Sequence, residues 1–139
     1  MATAIAPERK TETSALADER PFTRGSVWMV EFIRVKPGRD LEYWKVLAQT
    51  WKKILDEEKK EGSVLSYKIL SGYPTSRDDF TAILMVESPN FAAFDQSDKM
   101  DAIVKKVHGS LGAAQESFRM REDIRENLGG RLMREIHLK

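Results

Sequence analysis

Glu31 is the first residue that asks for a chemical explanation. It stands in VWMVEFIRVKPG, residues 27–38, an apolar run that ends in Pro-Gly. At the two-residue period of a strand, one face holds Val27, Met29, Glu31, Ile33 and Val35. The other holds Trp28, Val30 and Phe32, then Arg34 and Lys36. A carboxyl drawn out of water between Met29 and Ile33 resists ionisation, and a neutral carboxyl in a cleft can give and take a proton. Its plainer use is an ion pair with Arg34, Arg134 or a lysine across a dimer.

His108, in KKVHGSLG, is the second candidate for moving protons. A histidine just before a glycine also suits a helix C-terminus, where the dipole favours a cation. His137 lies two residues beyond Glu135, so both share one face of a terminal strand, and hydrogen bonding at a rim is its expected use. Trp44 and Trp51 are seven apart on one helix face, with Tyr67 on a following strand. These rings either pack a core or wall an aromatic pocket, where indole N–H and phenol O–H groups orient a ligand. Met29, Met85, Met100, Met120 and Met133 suit an adaptable apolar cavity. The candidates are thus Glu31 and His108 for catalysis, Trp44, Trp51, Tyr67 and Met29 for ligand binding, and no metal ligands.

Composition closes several routes. The 139 residues contain no cysteine, which excludes disulfides, thiolate nucleophiles and cysteine zinc sites. A formal net charge of +1 supplies no field to steer the chain toward nucleic acid or an anionic membrane. No apolar run is long enough to span a bilayer. The glycine-rich phosphate cradles, the HExxH zinc motif and the GxSxG elbow are absent, so neither a nucleotide nor a metal cofactor is expected. DQSDKMD, residues 95–101, has spaced aspartates better suited to helix capping than to calcium.

The elements that must position these residues follow from periodicity. Residues 1–25 are small, polar and charged, with too little apolar surface to offset ordering entropy, and read as a flexible arm. They lack the apolar core of an export signal; a cytoplasmic chain is expected, or an exported one whose signal has been removed. Residues 26–139 form the domain. A strand from Val27 is followed by a helix with Asp40 as N-cap, apolar positions from Leu41 to Leu55, and Gly62 as its stop. Strands over Val64–Leu70 and from Asp79 to Glu87 come next. Ser88 and Pro89 then suit the start of a helix, Asp98 a second segment stopping at Gly109, and Ser110 a helix to about Asn127. Gly129-Gly130 breaks that helix before a last strand, RLMREIHLK.

The order β-α-β-β-α-β predicts an α+β, ferredoxin-like domain, with helices on one face of an antiparallel sheet. The first and third strands should be central, because both are apolar on both parities. The same element order serves RNA recognition, but DFTAILMVES lacks the stacking aromatics that function needs. Helices cover one sheet face only, and an open face should alternate with polar residues. It does not here, and leaving large apolar side chains in water forgoes roughly 1.5–3 kcal/mol each. The predicted cover is the same face of a second copy, which makes a homodimer.

This layout resembles the dimeric α/β-barrel superfamily, in which two ferredoxin-like subunits pack their sheets into a barrel. The likeness covers residues 26–139. EYWKVLAQTWKKILDEEKKEG, followed by a strand and Tyr73-Pro74, is similar to small bacterial members without an assigned function. The resemblance implies a cofactor-independent enzyme, monooxygenase-like or isomerase-like, acting on a small apolar or aromatic molecule. A non-catalytic binding protein and a purely structural homodimer are the alternatives. Haem-binding relatives carry a histidine in the second helical region, which points at His108. Their chemistry also calls for an asparagine on the first strand, and none is there.

Overall fold

The computed structural model describes residues 15, 16 and 18–139. Branched and aromatic residues at alternate positions form β1, Phe22–Val35, which Pro37-Gly38 ends. Of the arm expected over residues 1–25, all but its last part lies outside the described residues. Phe22–Gly25 is strand. Two antiparallel strands, β2 (Ser66–Ser71) and β3 (Ala82–Ser88), and a long β4 (Arg125–Leu138) complete the sheet. The strand order is β2-β3-β1-β4, so β1 and β3 are central. Contacts run from Arg34–Glu126 to Val30–Gly130, which sets β4 opposite in direction to β1.

Register decides which parity of β1 meets the helices. Glu31 pairs with Leu84 and Ile33 with Ala82 across β1 and β3, while Ile69 pairs with Leu84 across β2 and β3. Ile33, Val35, Ala82 and Leu84 join Tyr43, Leu47 and Ile124 in the buried core. The odd-numbered side of β1, Glu31 included, therefore faces the helical layer. Trp28, Val30 and Phe32 share the opposite face with Met85 and Ile83 of β3 and with Lys68 and Leu70 of β2.

The first helical region is two helices, α1 (Asp40–Gln49) and α2 (Trp51–Glu61), and not one. Thr50 leaves helical geometry at φ −124° and ψ −71°; its hydroxyl donates back to the Val46 carbonyl at 2.7 Å, a bond that competes with the helical ladder. Asp40 does not cap α1. Arg39 occupies that position without a side-chain cap, and Asp40 sits in the first turn with Glu42, where the dipole favours acids. Gly62, at φ 84°, closes α2 through its N–H, as a left-handed residue should.

The second helical region differs more. Ser88 is not a cap but the buried last residue of β3, held there by pairing with Val27. Asn90 caps instead, its side chain accepting from the Ala93 N–H over a 3-10 turn, Phe91–Phe94. Next come α3 (Ser97–His108), with Gln96 at its cap and Asp98 in its first turn, and α4 (Leu111–Arg121), capped by Ser110. The helix expected to reach Asn127 stops at Arg121, and β4 passes straight through Gly129-Gly130. Gly130 is needed because a Cβ there would lie 2.8 Å from the Val30 carbonyl oxygen.

The described residues divide into two compact units. One is Ser26–Met133, which holds the layers described above; the other joins Arg134–Lys139 to the chain up to Gly25. In the smaller unit Lys139 N–H donates to the Pro21 carbonyl and Arg134 to the Gly25 carbonyl. His137 stands 3.3 Å from Glu135 there.

Candidate aromatic cleft

α1 and α2 lie over the helix-facing side of the sheet, and the edge strand β2 leaves part of their apolar surface uncovered. Trp44, Leu47 and Ala48 of α1 and Trp51 and Lys52 of α2 form one wall; Tyr67, Ile69 and Ser71 of β2 form the other. The cleft has a volume of about 360 Å³. Trp51 meets Tyr67 edge to face with centroids 5.2 Å apart, and Trp44 tilts against the buried Tyr43 at 5.4 Å. Both indoles also pack on the core, the plainer of their two expected uses.

Charge is confined to one end of the cleft. The Tyr67 hydroxyl donates to Asp56 Oδ1, and Lys52 Nζ donates to Asp56 Oδ2, both at 2.7 Å. Lys59 Nζ lies 5.6 Å from the Tyr67 ring centre. Hydrogen bonds from Lys52 and Tyr67 hold the Asp56 carboxyl below the usual carboxylate range. Burial, followed by the Asp56 bond, raises the Tyr67 phenol, which therefore stays a donor.

The remaining candidates lie elsewhere. Glu31 accepts from Asn127 Nδ2 of β4 at 3.3 Å. Its charge also acts on two buried groups, Tyr43 and Arg121. Met29, opposite Val86, belongs to the helix-facing side but not to the cleft wall. His108 ends α3, edge to face with Phe118 at 5.4 Å. Burial, then the Arg121 charge, pushes its imidazole below the ordinary value. The structure thus brings Trp44, Trp51 and Tyr67 together and leaves Glu31, His108 and Met29 outside that group.

A polar cluster that the sequence reading missed lies within the helical layer. Arg121 Nη2 donates to Thr50 Oγ1 at 2.8 Å, across the break between α1 and α2. Arg125 Nη1 donates to the Tyr43 hydroxyl at 2.9 Å, and its other nitrogens donate to Glu122. Both arginines and Tyr43 are buried. Each cation has an oxygen partner, so the cluster ties α4 and β4 to α1. The alternation of arginines and acids over residues 119–135 reads as a solvated face, and the burial of Arg121 and Arg125 corrects that reading. Among the described residues no group of three or more His, Asp or Glu is placed to hold a metal ion, and no helix is long and apolar enough to cross a membrane.

No family model matches the sequence, and no curated protein matches it. Solved structures do. A protein from Shewanella oneidensis is 18% identical, with a TM-score of 0.51 over 84% of this chain and 96% of its own. A dimeric ferredoxin-like protein from an uncultured marine organism is 11% identical, with a TM-score of 0.50 over 83% of this chain and 90% of its own. Strand order, helical layer and these likenesses agree: the chain has a ferredoxin-like fold.

Proposed function

We propose that the protein binds a small apolar molecule bearing an aromatic ring in the cleft between α1–α2 and β2, and that it does so as a homodimer. The cleft itself carries this reading: two indoles, a phenol and aliphatic side chains line an open groove of about 360 Å³, with charge at one end only. That composition suits a ligand whose rings stack and whose orientation is set by a few polar groups. Glu31 and His108, the expected proton carriers, stand off its wall. The lining therefore favours binding over monooxygenase-like or isomerase-like chemistry.

The homodimer reading rests on the opposite face of the sheet. Trp28, Phe32, Ile83 and Met85 lie half-buried on that face around the buried Val30, beside Leu70, which is 51% exposed. A second copy of that face is the simplest cover. The marine neighbour, described as dimeric, supports it.

Titration with the neutral probe N-phenyl-1-naphthylamine tests the cleft. Its emission should rise on binding. Trp51→Ala should weaken binding by about tenfold, the loss of one buried aromatic contact. Tyr73→Ala, fully exposed and off the cleft wall, should leave it unchanged. Equal affinity of the wild type and Trp51→Ala would remove the cleft as the binding site.

A further inference from the structure

We propose that Glu58 is a proton-operated latch on the seam between α2 and α3: uncharged, its carboxyl stays between the helices; charged, it leaves and the seam loosens. The proposal is independent of the aromatic cleft. Glu58 lies on α2, one turn before Glu61, and is only 7% exposed. Its backbone carbonyl accepts from the Ser63 and Val64 N–H groups just past the helix end. Its carboxyl has no hydrogen-bond partner among the described residues. With Val64, Val86, Phe94 and Ile103 it lines a recess of about 40 Å³ where α2, β3, the 3-10 turn and α3 meet. Ser88, Gln96 and Lys99 also reach this recess, and none of them donates to Glu58.

A carboxylate in this place lacks both water and a partner, so its charge is costly. The charged groups that face it are Glu61 from α2 and Lys99 from α3; β3 and the 3-10 turn bring none to the recess. Burial first, and the Glu61 charge second, push the Glu58 carboxyl above its ordinary 4.5. The folded chain therefore keeps this proton at pH values where an exposed glutamate has lost it. The stability that the proton contributes is complete below 4.5 and is lost as pH rises through the higher folded value. Once ionised, the side chain regains solvation only by leaving the recess. The polar tie across the seam is then Lys106 to Glu57 at 2.9 Å, and with the lysine largely exposed such a pair holds little.

Carbon-13 NMR of the full chain tests the latch. The Glu58 carboxyl signal should titrate with a midpoint above 4.5. Amide exchange at Ile103, corrected for its intrinsic pH dependence, reports opening of the seam. The opening equilibrium should rise about tenfold for each unit by which the Glu58 midpoint exceeds 4.5. Glu58→Gln, uncharged at every pH, should abolish that rise. His108 titrates on α3 in the opposite sense, so the difference between wild type and Glu58→Gln is the readout. Glu61→Gln, at an exposed position, should lower the Glu58 midpoint and shrink the rise, which keeps the test decisive if Glu58→Gln does not fold. A Glu58 midpoint at or below 4.5, or the same rise in wild type and Glu58→Gln, would overturn the latch.

Discussion

Tyr43 shows how a single hydroxyl can hold a helix to a strand. It is fully buried, and burial raises its pKa despite the Arg125 guanidinium beside it. Its oxygen accepts from Arg125 Nη1. Tyr43→Phe leaves that buried N–H without a partner and should cost about 1–3 kcal/mol of stability in urea unfolding. An unchanged midpoint would mean the cluster adds nothing. His108 gives a pH signature. Its folded pKa lies below the ordinary 6.5, because burial and Arg121 disfavour the imidazolium. Between those two values the unfolded chain holds a proton that the folded chain does not. Stability should therefore fall as pH drops through about 6.5, and His108→Gln should flatten that fall. A profile identical to wild type would contradict it. At this scale the sequence disclosed the cleft rings, because Trp44 and Trp51 keep helical spacing and Tyr67 alternates on a strand. The surroundings of Glu31 stayed hidden: its partner Asn127 is 96 residues away, in a segment that read as helix.

Helix formers such as Arg and Glu fill much of residues 121–127, yet the chain there turns and enters β4. Tertiary pairing outweighs intrinsic propensity. Ile124 enters the core and its carbonyl accepts from Lys36 N–H, which fixes the start of the strand. Gly130 is the most informative position on β4. Adding a methyl group would press on the Val30 carbonyl and force the strands apart. Gly130→Ala should destabilise by about 1–3 kcal/mol, as overpacking does, while Gly72→Ala, with open space around it, should stay near wild type. Thermal unfolding of both variants checks this, and equal melting temperatures would refute the close approach. The stops at Gly62 and Gly109 were readable because both residues adopt positive φ. The break at Thr50 was not, since Thr50 stands inside an unbroken helical pattern and the guanidinium that bonds its hydroxyl arrives from α4.

On the scale of the molecule, strand order was legible because β1 and β3 are apolar on both parities, a pattern only central strands need. The same pattern leaves one apolar face without a helix over it. Sedimentation equilibrium at micromolar concentration should find two copies, and Phe32→Asp, a charge placed in the middle of that face, should yield single copies. A wild type that sediments as one copy would refute the dimer. The proposed binding cleft and the proposed pairing face lie on opposite sides of one sheet, which makes them separable by a single observation. Intermolecular nuclear Overhauser effects between the ring protons of N-phenyl-1-naphthylamine and methyl-labelled protein report which side the ligand touches. The predicted result is transfer to Leu47 and Ile69, which line the cleft. Transfer to Leu70 and Ile83, on the opposite face, would contradict binding in the cleft.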